Sequence, residues 1–155
     1  GDLSQLLTIS LVAKYEEPLS VFAGAWAALL AVSGLAVLAG RVLTPDCRPA
    51  ANALVDLWHC DEQGAYDNQG YRYRGHQYTD AQGRYRLETI VPALYPGRAR
   101  HIHVKVQAPG RRILTTQLYF AGDPGNRRDR LYTPALEMRA AKPGDGRFDF
   151  VVDAG

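Results

Sequence analysis

Cysteine is scarce: the 155-residue chain has two, Cys47 and Cys60. That number excludes a disulfide-stapled miniprotein and a four-thiolate zinc ribbon, and leaves either one bridge or two small buried hydrophobes. On a simple hairpin, with Cys47 in the turn and Cys60 at the far end of the returning strand, the sulfurs lie too far apart to bond. An excess of one charge sign is lacking as well. The formal net charge is +2, and the basic residues are scattered among acids rather than gathered in a run, which argues against a nucleic-acid partner. There is no internal repeat and no low-complexity tract. What is present, 46% hydrophobic and 22% charged residues, describes a folded chain of single-domain size.

One long stretch lacks charge altogether. Residues 19–40, LSVFAGAWAALLAVSGLAVLAG, have the length of a membrane span or a signal core. Their flank is acidic (Glu16, Glu17), however, and the last third, Leu35 to Thr44, reads as a β-strand running into a turn at Pro45-Asp46. The remainder, about Pro18 to Val32, is expected to be an Ala-rich helix that packs on a domain or a partner subunit rather than crossing a bilayer. The expected division is an N-terminal segment over residues 1–34, with this hydrophobic helix, and a single domain over 35–155. The sequence begins at Gly1 without an initiator Met, as expected of a trimmed precursor.

After residue 34 the pattern is all-β. AVLAGRVLT, ALVDLWHC, GRYRLETI, ARHIHVKVQA, RILTTQLYF and RFDFVVD are short runs rich in β-branched and aromatic residues, separated by TPDCRP, DAQG, YPG, APGR, GDPGN and KPGDG turns. They predict an antiparallel β-sandwich. Residues 64–80, GAYDNQGYRYRGHQYTD, show no core-like periodicity and are expected to form a long ordered loop of the kind that carries function.

The chemistry concentrates in YPGRARHIHVKV, residues 95–106. On a strand His101 and His103 share one face with Lys105, while Ile102, Val104 and Val106 share the other and can pack a core. Five of the nine tyrosines lie between Tyr66 and Tyr85, and Tyr95 sits in a Pro-bounded turn just before the histidines. Imidazoles are borderline donors and phenolates hard anionic ones, a mixture that suits ferric iron better than zinc. Trp58 is expected in the core.

The runs ANALVDLWHCDEQGAYDNQ, RGHQYTDAQGRYRLETIVPALYPGRARHIHVKV and TTQLYFAGDPGN resemble the intradiol ring-cleavage dioxygenases, relatives of catechol 1,2-dioxygenase and protocatechuate 3,4-dioxygenase, over about residues 36–152. Carried over position by position, the resemblance implies one Fe(III) per chain held by Tyr66, Tyr95, His101 and His103, with Tyr95 and His103 axial. It implies that Arg98 stabilises developing negative charge over the substrate ring, that the displaced Tyr95 accepts a substrate proton, and that Gln117 lies in the second shell. Tyr71, Tyr73 and Arg74 are expected to line the substrate pocket. The implied partners are a catecholic substrate and O2, and the implied product is a cis,cis-muconate cleaved between the hydroxyl-bearing carbons. The Cys-x-Pro turn and WHCD look most like the secreted single-domain branch, which implies an extracellular protein and a Cys47–Cys60 bridge.

The family's Glu-Gly-Pro-aromatic motif is missing, and residues 1–34 have no counterpart in this resemblance; a hydrophobic helix there suits a homodimer contact. The sandwich pattern also resembles transthyretin-like and carboxypeptidase-regulatory-like binding modules, which have no metal and no activity. A zinc hydrolase is the third reading, disfavoured because zinc sites rarely recruit phenolates. The discriminating feature is whether tyrosine and histidine side chains converge at one edge of the sandwich.

Overall fold

The computed structural model describes residues 35–140 and 144–153; the helix expected at Pro18–Val32, with the rest of residues 1–34, lies outside them. Alternating side chains build two sheets. The strands are β1 (Leu35–Leu43), β2 (Leu54–Trp58), β3 (Arg74–Tyr78), β4 (Arg84–Ile90), β5 (His101–Gln107), β6 (Leu114–Tyr119), β7 (Asp145–Arg147) and β8 (Phe150–Val151). One sheet has the order β4-β1-β7, with β8 also on β1, and the other the order β3-β2-β5-β6. The second sheet is antiparallel throughout. The first is mixed, because β7 and β8 both run parallel to β1, a departure from the purely antiparallel expectation. Among the described residues no helix is long and apolar enough to cross a membrane.

The inner faces meet through Leu38, Val42 and Tyr85 from one sheet and Val55, Leu57, Ile102, Val104, Val106 and Leu118 from the other. Each is almost wholly buried, and each aliphatic side chain contributes about 1.5–3 kcal/mol by leaving water. Because the strand period is two, burying Ile102, Val104 and Val106 fixes His101, His103 and Lys105 on the outer face of the sheet. Trp58 follows the same logic. It neighbours Leu57 on β2, so it points outward and is half-buried, contrary to its expected place in the core.

Two other expectations need correction. The stretch 64–80 is not loop throughout: Arg74–Tyr78 pairs with β2 as an edge strand. Its inward residues opposite Leu57 and Val55 are Gly75 and Gln77, so no apolar alternation announces it. Cys47 and Cys60 are both free, Cys47 exposed and Cys60 buried. Cys47 sits in the turn after β1, where Leu43 pairs back with Pro49, and Cys60 follows the far end of β2 with its thiol directed at the Ala93 carbonyl. Strand β2 separates the two, and no bridge forms.

Candidate metal centre

Three donor atoms meet on the outer face of β5. Tyr66 Oη lies 3.2 Å from His101 Nε2 and 3.2 Å from His103 Nε2, and the two nitrogens are 3.2 Å apart. His101 Nδ1 is 2.7 Å from the Ala99 carbonyl. A carbonyl only accepts, so Nδ1 carries the proton and Nε2 presents a bare lone pair to the cluster. Three contacts therefore share at most two protons, one from the Tyr66 hydroxyl and one from His103. A cation satisfies all three donors at once. Two ligands each about 2.1 Å from one first-row metal and roughly at right angles stand about 3.0 Å apart, close to the separation observed.

The electrostatics agree. Burial first, then the charge of Arg98, depresses the pKa of His101, and burial followed by His101 and Arg98 takes His103 down to about 4. Both imidazoles are neutral near pH 7, the form that binds metal. Burial pushes the Tyr66 phenol up to about 12, with Cys60 and Tyr95 adding to the effect and Arg98 opposing it. Tyr66 becomes a phenolate only when a cation compensates the lost hydration. No group of three His, Cys, Asp or Glu side chains forms a metal cluster among the described residues, which removes the usual zinc donor sets.

Local sequence explains how the donors arrive. Asp61 is buried and accepts the Gln63 and Ala65 N–H groups on Oδ1 and Arg72 on Oδ2, folding the chain toward Tyr66. The Asp61 carbonyl accepts the Gly64 and Ala93 N–H groups, which joins this loop to the segment before Tyr95. Gly64 has φ +81, and a Cβ there would stand 2.8 Å from the Leu94 carbonyl oxygen, so only glycine fits. Tyr95-Pro96-Gly97-Arg98 makes a type II turn: the Arg98 N–H donates to the Tyr95 carbonyl at 2.8 Å, with Gly97 at φ +74.

Of the four sequence-derived ligands, Tyr66, His101 and His103 converge. Tyr95 stands next to them, its ring edge-on to Tyr66 at 5.6 Å and 42% exposed, with no hydrogen bond from its hydroxyl to the three donors. His103 lies flat on Trp58, ring centroids 5.0 Å apart and planes 7° apart. Trp58, His103 and Gln117 are register partners across β2, β5 and β6. Beside them Arg98 donates through Nε to Asp129 at 2.9 Å and through Nη2 to Gln117 and Tyr119. Burial opposes the charge of Arg98, but the Tyr119 and Asp129 contacts outweigh it and keep the group cationic. Burial likewise raises the Asp129 carboxyl, yet the Leu131 and Ala99 N–H groups and Arg98 hold it below the ordinary range.

Asp129 is the functional residue that sequence reasoning missed. It stands alone in GNRRDR, and nothing in that loop points to Arg98, 31 positions away. The proposed pocket walls are placed elsewhere. Tyr71 is 83% exposed, Tyr73 stacks on His59 and donates to Glu62, and Arg74 covers Trp58 while pairing with Asp56. None of the three touches Tyr66, His101 or His103.

Residues 32–138 match the family model described as Dioxygenase. A second model, described as divalent cation/proton antiporter GDT1, matches residues 1–54, about a third of the chain. Among solved structures, the dioxygenase domain of a dioxygenase carbohydrate-binding protein fusion from the cellulolytic bacterium Streptomyces sp. SirexAA-E is 54% identical. It superposes with a TM-score of 0.73 over 78% of this chain and 80% of that one. Chlorocatechol 1,2-dioxygenase of Pseudomonas sp. (strain P51) is 36% identical over 145 residues, covering 76% of this chain and 58% of that protein. Catechol 1,2-dioxygenase 2 of Acinetobacter lwoffii is 36% identical over 111 residues, covering 57% and 40%. The chain thus spans about two to three fifths of the length of these curated relatives.

Proposed function

The chain belongs to the intradiol dioxygenase family, and from that premise we propose that it is a non-haem Fe(III) enzyme that opens catechol-type rings between the two hydroxyl-bearing carbons with O2. The observation that carries the reading is the meeting of Tyr66 Oη, His101 Nε2 and His103 Nε2 at 3.2 Å. A sandwich used only as a spacer or adhesion module has no need for that convergence. When bound, ferric iron supplies a Lewis acid that draws electrons from a chelated catecholate and exposes its ring carbon to dioxygen.

The protein's own groups do the rest. Tyr66, His101 and His103 would hold the ion, and Tyr95, adjacent and half-exposed, would complete the donor set and could take up a catechol proton. Asp129, Gln117 and Tyr119 engage Nε and Nη2 of Arg98, which leaves Nη1 without a partner among the described residues and available to stabilise negative charge on the substrate. The stoichiometry closes without a reductant, because both atoms of O2 end in the carboxyl groups of the product. Arg72 and Arg74, the cations nearest in the loop, are already paired with Asp61 and Asp56.

The test is oxygen uptake with catechol under 18O2, followed by mass spectrometry. The expected product is the cis,cis-muconate carrying two labelled oxygens. A ring opened outside the two hydroxyl-bearing carbons, or no uptake by iron-loaded protein, would overturn the reading.

A further inference from the structure

His101 and His103 are held by different devices. The His101 ring donates from Nδ1 to the Ala99 carbonyl at 2.7 Å. A metal-ligating imidazole almost always has such a polar partner on its second nitrogen, which fixes both the tautomer and the plane of the ring. His103 departs from that pattern. Its Nδ1 has no hydrogen-bond partner among the described residues, and its polar contacts run through Nε2 to Tyr66 and His101. The outer torsion of a histidine side chain has a broad minimum, so the direction of the His103 Nε2 lone pair must be set by packing.

That packing is a stack across the sheet. Arg74, Trp58, His103 and Gln117 are register partners on β3, β2, β5 and β6, and their side chains form one row on the outer face. Trp58 lies parallel to His103, with ring centroids 5.0 Å apart and planes 7° apart. Strands β3 and β5 flank β2, so Arg74 approaches the indole from the side away from His103. Arg74 Cζ stands 5.2 Å from the Trp58 ring centroid, and the guanidinium is held in turn by Asp56 at 2.7 Å. Lys105 Nζ, two residues along β5, adds a second cation at 5.8 Å. Tyr66 and His101 meet the same His103 ring at steep angles, with centroids 5.8 Å and 4.8 Å away. Trp58 is half-buried and stands outside the apolar core. Core packing therefore does not account for an indole at this position, whereas the row does.

We propose that Trp58 is a positioning residue: its indole, backed by Arg74, fixes the plane of the His103 ring and so aims Nε2 at the point where Tyr66 Oη and His101 Nε2 converge. Arg74, expected from the sequence to line the substrate pocket, then acts through Trp58. The consequence for metal retention rests on the ferric reading of the site; the stack itself does not.

The test compares the full chain with Trp58→Leu and Trp58→Phe, first free of metal and then loaded with ferric iron. In metal-free protein the readout is 13C relaxation of the histidine rings by NMR, with His101 as the internal reference. The His103 ring is expected to be as ordered as that of His101 in the unsubstituted chain and in Trp58→Phe. In Trp58→Leu it is expected to gain motion while His101 does not. In loaded protein the readout is release of iron to excess EDTA, expected to be about tenfold faster from Trp58→Leu and largely restored by the aromatic face of Trp58→Phe. Arg74→Gln is expected to speed release by a smaller factor, because it removes the backing and leaves the stack. Should Trp58→Leu not fold, Trp58→Gln, whose polar end suits a half-exposed position, carries the test. Failure of the unsubstituted chain to take up iron would overturn the ferric reading alone, and the order of the His103 ring would still decide the positioning role. An ordered His103 ring in Trp58→Leu, motion gained equally by His101, or iron release unchanged by loss of the indole would each overturn the proposal.

Discussion

Replacing Tyr66 with Phe removes the one donor of the converging three that can carry negative charge, and leaves two neutral imidazoles and the adjacent Tyr95 to hold a trivalent ion. Iron content in the purified Tyr66→Phe variant is expected to fall at least about tenfold, along with oxygen uptake. Asp129→Asn acts differently, because Asp129 touches Arg98 and no metal donor. The expected result is unchanged iron content with kcat down about 10- to 100-fold, since the guanidinium loses the carboxylate that aims it. The cysteines give a third check: a thiol reagent should label Cys47 quickly and Cys60 only after unfolding, with identical gel mobility with and without reductant. At this scale the sequence was readable where spacing is local. His101 and His103 on one strand face, and Arg98 three residues after Tyr95 in a turn, are short-range facts. The Asp129–Arg98 contact joins two loops distant in sequence, and no short motif encodes it.

Each loop around the site is fixed by a few residues whose backbone roles are unusual. Gly64→Ala places a methyl against the Leu94 carbonyl at a positive φ. It is expected to cost about 1–3 kcal/mol in urea unfolding and to lower iron content by displacing Tyr66. The segment after β2 is anchored by His59, which is buried and bonded to the Cys60 carbonyl and the Thr89 hydroxyl. Burial holds its pKa below the ordinary 6.5. The unfolded chain therefore binds more protons than the folded one as the pH falls below 6.5, and the stability associated with neutral His59 is lost on acidification. In metal-free protein, His59→Gln is expected to reduce the drop in Tm between about pH 7 and pH 5, and an unchanged slope would contradict the assignment. Strands β1, β2, β4, β5 and β6 were readable from β-branched alternation. Strand β3 was not, because an edge strand with Gly75 and Gln77 on its inner face buries too little apolar surface to mark itself.

For the whole molecule, the sandwich class followed from the count and spacing of short strands, while the pairing did not. The parallel return of β7 and β8 onto β1 depends on where the 120–144 connection passes, which no alternation pattern encodes. The candidate metal site falls on the outer face of its sheet, because burying Ile102, Val104 and Val106 leaves the other side of β5 free for chemistry. The central claim is that Tyr66, His101 and His103 bind ferric iron with phenolate character. The most direct measurement is metal analysis of purified protein together with its visible spectrum before and after anaerobic addition of catechol. The account predicts about one iron per chain, a tyrosinate-to-iron charge-transfer band, and a shift of that band when catechol binds. A colourless protein that takes up no ferric iron would contradict it.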